Sequence, residues 1–189
     1  MEHFYQKIQG WFGYEFLYTH IVNSCNFKDT YNFVEVGSWK GRSAAYMAVE
    51  IVNSCKQIKF NCVDTWAGSE EHIDKSNPSY EKLLESPDGL YNHFLENIEP
   101  VKSFITPIRK TSVEASEMFN DNSIDFIMID AAHDYENVIN DIRHWYPKLA
   151  SGGIISGDDL DWPGVTKAVS EYFNDDFLNI ENKIWIKQK

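Results

Sequence analysis

Two periods of apolar spacing alternate along this chain. Tyr31–Gly37 (YNFVEVG), Ile58–Asp64 (IKFNCVD), Phe104–Ile108, Ile124–Asp130 (IDFIMID) and Gly152–Gly157 (GGIISG) are short apolar runs, which predict five strands. Between them the spacing widens to three or four. Phe16, Leu17, His20 and Ile21 predict a helix over Glu15–Cys25, and Ala44, Ala45, Ala48, Val49 and Val52 one over Gly41–Ser54. A short helix is expected at Val113–Phe119. Tyr135, Val138, Ile139, Ile142, Trp145, Tyr146 and Leu149 form a clean helical stripe, with Pro147 in its last turn. Pro163 is placed to open a helix bearing Val165, Ala168, Val169 and Tyr172. The stretch FLNIENKIWIKQK reads as two strands around a tight Glu181-Asn182-Lys183 turn. The string IVNSC occurs at Ile21–Cys25 and again at Ile51–Cys55. Two copies make no solenoid; they read as two helix ends, each leading into a strand.

Strands alternating with helices imply a mostly parallel sheet covered on both faces, with the terminal hairpin adding an antiparallel strand near one edge. In such sheets ligands bind beyond the carboxyl ends of the strands, at the point where strand order reverses. The residues just after each strand are therefore where chemistry is expected. Segment 67–100 breaks the rhythm. It is long, polar and acidic, carries the turn signals SNPSYEK and SPDG, and has one short helix at Tyr91–Ile98. It reads either as a lid over the ligand face or as a surface excursion.

The 189 residues suit one domain, 1–189, with an N-terminal helical segment over 1–30. Twelve Phe, ten Tyr and six Trp argue for a packed core. The net charge of −12 repels phosphate backbones, so no nucleic-acid partner is expected. No apolar run reaches the roughly 18 residues of a membrane span, and MEHFYQKIQG lacks the apolar stretch of a signal peptide. Cys25, Cys55 and Cys62 are odd in number and form no CxxC, which reads as small buried hydrophobes in a reducing cytoplasm.

The first strand runs into Glu35-Val-Gly37-Ser38-Trp39-Lys-Gly41-Arg-Ser43. A glycine-rich turn between strand and helix brings backbone N–H groups close to a ligand. Trp39 stands where a dinucleotide fingerprint needs glycine, which argues against NAD. The second strand ends in Asp64-Thr65-Trp66, at the offset where an acid hydrogen-bonds a ribose. The fourth ends in Asp130-Ala-Ala-His133 and the fifth in Gly157-Asp158-Asp159. As neighbours about 4.8 Å apart, these two ends would gather three carboxylates. A hard divalent cation such as Mg²⁺ relieves that repulsion; helix capping by Asp159 or Asp161 is the plainer alternative. His133 can take a proton from a hydroxyl, or ligate the metal, or cap.

This constellation resembles the class I S-adenosylmethionine-dependent methyltransferases, and more narrowly their small metal-dependent O-methyltransferases, the catechol-type and antibiotic-sugar enzymes. The resemblance runs from Phe33 to the C-terminus and is most specific in IDFIMIDAAHDYENVINDIRHWYPKLASGGIISGDD. It implies a Rossmann-like, doubly wound α/β fold with a mostly parallel seven-stranded sheet and an antiparallel C-terminal hairpin strand. It implies S-adenosyl-L-methionine at Glu35, Gly37, Ser38, Trp39, Gly41, Ser43, Asp64, Thr65, Trp66, Ser112 and Asp130. Gly37 and Gly41 would pass the methionine part, Ser43 hold its carboxylate, and Ser112 lie beside the adenine. It further implies Mg²⁺ or another divalent cation on Asp130, Asp158 and Asp159, and His133 as the base. The acceptor would be a small molecule with adjacent hydroxyls, a sugar or a catechol, with Trp39, Trp66 and His72 as candidates for the mouth. A homo-oligomer stays open. An inactive S-adenosylmethionine-binding module, serving as sensor or assembly subunit, is the rival reading.

Overall fold

A computed structural model describes residues 1–27 and 29–189. Among the described residues, seven strands make one sheet: β1 (Thr30–Val36), β2 (Gln57–Asp64), β3 (Ile105–Arg109), β4 (Ile124–Ile129), β5 (Leu149–Gly157), β6 (Leu178–Ile180) and β7 (Ile184–Gln188). Their spatial order is β3-β2-β1-β4-β5-β7-β6. The first five run parallel, while β7 pairs antiparallel with both β5 and β6. The expected Rossmann-like α/β sheet is thus present, with its reversed strand one place in from the edge. The order reverses between β1 and β4, so the switch point lies where those two strands end.

The helices are α1 (Glu15–Ser24), α2 (Arg42–Ser54), α3 (Glu70–Ile73), α4 (Gly89–Ile98), α5 (Ser112–Ser116), α6 (Tyr135–Trp145) and α7 (Pro163–Phe173). Strand side chains alternate between faces. Phe33, Phe60, Phe126 and Met128 therefore bury against α1, α2 and α4, while Val34, Val36, Ile127, Ile129 and Ile155 bury in the other apolar layer with residues of α5, α6 and α7. Each such residue contributes roughly 1.5–3 kcal/mol when fully buried. Both IVNSC strings end helices, α1 and α2, that lead into β1 and β2.

Four details depart from the sequence reading. Leu149 opens β5 and does not extend the α6 stripe, because Pro147 supplies no N–H and the chain tightens into a 3-10 turn over Tyr146–Lys148. Leu149 is buried all the same, which is why its spacing looked helical. On α1 the inward face is Leu17, Tyr18, Ile21 and Val22, while Phe16 is exposed. Within segment 67–100, α4 buries Leu90, Phe94 and Ile98 in the core, while 67–88, with α3 and a 3-10 turn at Lys82–Glu85, sets the partly buried Leu83 and Leu84 against it. Cys25 and Cys62 are buried free thiols, but Cys55 is exposed, at the C-cap of α2. Among the described residues no helix is long and apolar enough to cross a membrane.

Candidate active site

The turns after β1 and β2 are joined through one carboxylate. Asp64 accepts the backbone N–H of Trp39 at 2.8 Å on Oδ2 and that of Trp66 at 2.7 Å on Oδ1. The Trp66 indole N–H donates to the Trp39 carbonyl at 2.8 Å. Both tryptophans have left-handed backbones, φ 45° and 51°, a strained state for bulky residues; these hydrogen bonds hold them in it. Burial raises the Asp64 pKa, with the backbone donors opposing it. Trp66 is fully buried against Tyr91 and Phe94 and lines no mouth. Trp39 packs at a tilt of 33° against His72 instead, ring centroids 4.3 Å apart.

Strand alternation turns Glu35 toward α1, into the apolar layer. Its Oε2 accepts the Tyr18 hydroxyl at 2.7 Å. Its Oε1 and the Ser38 hydroxyl are buried without a hydrogen-bond partner among the described residues. Burial pushes the Glu35 carboxyl up to about 7, with Tyr18 and the adjacent Ser38 and Ser43 pulling the other way. The folded chain therefore keeps a proton that the unfolded chain, with a glutamate pKa near ~4.3, has already lost. Stability should fall as pH rises across that window. The melting temperature of the free protein is expected to be higher at pH 5.5 than at pH 8, and Glu35→Gln should flatten the slope. An equal slope in the variant would remove Glu35 as its source.

The ends of β4 and β5 gather the remaining groups. The Asp130 N–H donates to the Val36 carbonyl at 2.8 Å, and a Cβ on Gly37 (φ 92°) would overlap the Asp130 carbonyl. Glycine is needed there because the chain packs backbone against backbone. Gly41 (φ 86°) is hemmed in likewise by Phe94 and Ile98 of α4. Asp130 accepts the Tyr14 hydroxyl at 2.7 Å on Oδ2. Burial, then the negative charges of Asp158 and Asp159, push it up to about 7. His133 Nε2 meets Asp159 Oδ2 at 2.8 Å, and the half-exposed Trp162 indole flanks the imidazole, centroids 4.9 Å apart.

Asp130, His133 and Asp159 offer ligand atoms that all lie within 4.8 Å of one another. Asp158 belongs to no such group among the described residues: its Oδ1 accepts the Asp159 N–H at 2.8 Å. The left-handed backbone of Asp159, φ 56°, lets two adjacent aspartates take different partners. Neither Asp159 nor Asp161 caps α7; Trp162 holds that position, with Pro163 following. Ser43 lies buried beside Glu35, and Thr65 is exposed. The Ser112 hydroxyl accepts the Trp145 indole N–H at 2.8 Å and bonds the buried Asp141, so it ties α5 to α6.

Three residues escaped the sequence reading. Tyr14 and Tyr18, one helical turn apart, could have been found as aromatics in register on the inner face of α1. Lys40, within the glycine turn, is buried to 2% exposure; it donates to Gln9 Oε1 at 2.6 Å and to Glu81.

A family model described as a methyltransferase domain matches residues 34–160. The chain belongs to this family. It is thus a methyltransferase domain of the S-adenosylmethionine-dependent class, and the candidate site lies at the carboxyl ends of the strands, where such sheets bind ligands. An uncharacterized protein of Acanthamoeba polyphaga mimivirus is 30% identical to the methyltransferase over 158 residues, 78% of this chain and 62% of that protein. An uncharacterized protein of Sinorhizobium fredii is 25% identical over 122 residues, 65% of this chain and 12% of that protein. The chain spans less than two thirds of either relative. Among solved structures, the O-methyltransferase NovP shares the fold with a TM-score of 0.68 at 16% identity, over 93% of this chain and 78% of its own.

Proposed function

We propose that this methyltransferase moves a methyl group from S-adenosylmethionine to a hydroxyl of a small molecule, a sugar or other vicinal diol, with help from a divalent cation. The observation that carries the reading is the Asp130–His133–Asp159 group at the switch point, beside a turn holding buried, unpartnered polar atoms. Glu35 Oε1 and Ser38 Oγ fit a polar ligand at that turn, since buried polar groups are otherwise paired. Glu35, Gly37, Ser38, Trp39, Gly41, Ser43, Asp64, Thr65, Trp66, Ser112 and Asp130 would hold the cofactor, Trp66 and Ser112 by shaping its walls. Asp130 and Asp159 would hold the cation, with Asp158 alongside; an oxygen-rich donor set suits Mg²⁺.

When bound, S-adenosylmethionine supplies an electrophilic methyl on a positively charged sulfur, and the cation lowers the pKa of a coordinated hydroxyl. The chain does the rest. Asp159 orients the His133 imidazole through Nε2. So held, His133 takes the acceptor's hydroxyl proton. Asp64 keeps the two turns in register and would accept a ribose hydroxyl. The O-methyltransferase fold of NovP supports transfer to oxygen.

The test begins with cofactor. S-adenosylhomocysteine should raise the melting temperature, while NAD and ATP should not; no shift at millimolar cofactor refutes the reading. Asp64→Ala should weaken binding by at least ~1 kcal/mol. Labelled S-adenosylmethionine is then turned over against sugars and catechols, with Mg²⁺ or with EDTA. Full activity in EDTA would remove the cation, and binding without transfer to any hydroxyl would favour the inactive module.

A further inference from the structure

We infer that the N-terminal helix is a working part of the active site, through two positioning residues: Tyr14 holds the carboxylate of Asp130, and Tyr18 holds that of Glu35. Both tyrosines lie before residue 34, where the family match begins. Both are fully buried, and each places its hydroxyl 2.7 Å from a carboxylate oxygen. Tyr14 is the N-cap residue of α1 and Tyr18 follows one turn later.

The match is one of pitch. Four residues of helix rise about 6 Å, and two residues along a strand span about 6.6 Å. Glu35 pairs with Met128, so Asp130 lies two residues further along, and α1, which runs back along the sheet face from Tyr14 at Asp130 to Val22 at Lys56, can offer one phenol to each carboxylate. Glu35 lies on β1 and Asp130 follows β4, the pair that flanks the switch point. The rings are locked by packing: Tyr14 meets Tyr18 at 5.1 Å and Phe12 at 4.7 Å between centroids. A phenol donating to one carboxylate oxygen fixes the rotamer and leaves the other oxygen to face a ligand. Glu35 Oε1 is in that condition, buried and unpartnered. Outer partners of this sort orient ligating carboxylates at metal sites, and losing one typically costs 10- to 100-fold in affinity.

The inference rests on the proposed cofactor and cation assignments, so the experiment reads binding and not turnover. Full-length Tyr14→Phe and Tyr18→Phe each keep the ring and remove only the hydroxyl. Mn²⁺ is titrated by electron paramagnetic resonance and S-adenosylhomocysteine by calorimetry. Tyr14→Phe should weaken Mn²⁺ by about 10- to 100-fold and change S-adenosylhomocysteine far less, Asp130 being one proposed cofactor contact among several. Tyr18→Phe should weaken S-adenosylhomocysteine by about tenfold, as expected for a hydrogen bond to a charged group, and leave Mn²⁺ unchanged. A merely structural role would lower the melting temperature and move both affinities together, and that result overturns the inference. So does wild-type affinity for both ligands in both variants. If the wild type binds S-adenosylhomocysteine but no Mn²⁺, the cation reading fails and takes the Tyr14 assignment with it. The Tyr18 assignment then stands or falls on S-adenosylhomocysteine alone, and a wild type that binds neither ligand overturns both.

Discussion

His133→Ala should keep its cofactor and cation affinity within a few fold and lose on the order of 10²–10⁴ in turnover, the usual share of a general base. The imidazole is held from two sides, by the Asp159 carboxylate at Nε2 and by the Trp162 ring. Neither neighbour replaces it: the indole is no base, and a carboxylate, with a reference pKa of about 3.9, is a far weaker base than imidazole at about 6.5. The variant should also lose the acid limb of the pH–rate profile, since only the neutral imidazole accepts a proton. Asp159→Asn separates orientation from basicity. It leaves His133 present but weakens the contact that orients it, so a smaller turnover loss should come together with weakened Mn²⁺ binding. Normal turnover in His133→Ala would move the base elsewhere. His72, packed against Trp39 and bonded through Nδ1 to Ser69, would be next to test.

A comparable effect, on stability, is expected at Lys40. Its ammonium is buried between Gln9 and Glu81, and Glu81 is itself only 14% exposed. Lys40→Met strands that carboxylate, and breaking a buried pair from one side costs about 3–5 kcal/mol. In a domain of this size that is roughly 2–4 °C of melting temperature per kcal/mol. The double variant Lys40→Met, Glu81→Leu should recover most of the loss, because the charge left behind is gone as well. Lys40 also ties the N-terminal segment and segment 67–88 to the glycine turn. In the single variant, 67–88 should therefore be cleaved faster by protease. A loss under ~1 kcal/mol with unchanged cleavage would mean that other contacts hold the segment.

The alternation of strand and helix was legible because each element has one buried face and the two periods differ. The errors fell where burial and period part company. Leu149 is buried from a strand but spaced like a helix, and Phe16 is apolar yet exposed. The carboxylates at the strand ends were legible as a group, since a parallel sheet places them together. How they divide was not. The φ of Asp159 sends its carboxylate to His133 and leaves Asp158 bonded to the next backbone N–H, and nothing in Asp-Asp as a string encodes that choice. The roles of Tyr14, Tyr18 and Lys40 depend on partners between 17 and 116 positions away, where no local pattern reaches. Within segment 67–100 the apolar spacing showed the helix at Tyr91–Ile98, and α4 begins two residues earlier, at Gly89.

The close approach of Gly37 to the Asp130 carbonyl has a thermodynamic consequence. With no side chain between them, and with the Asp130 N–H bonded to Val36, the proposed cofactor turn and the proposed cation loop meet backbone to backbone. Any coupling that this contact carries between the two ligands is reciprocal: whatever factor the cation adds to cofactor affinity, the cofactor adds to cation affinity.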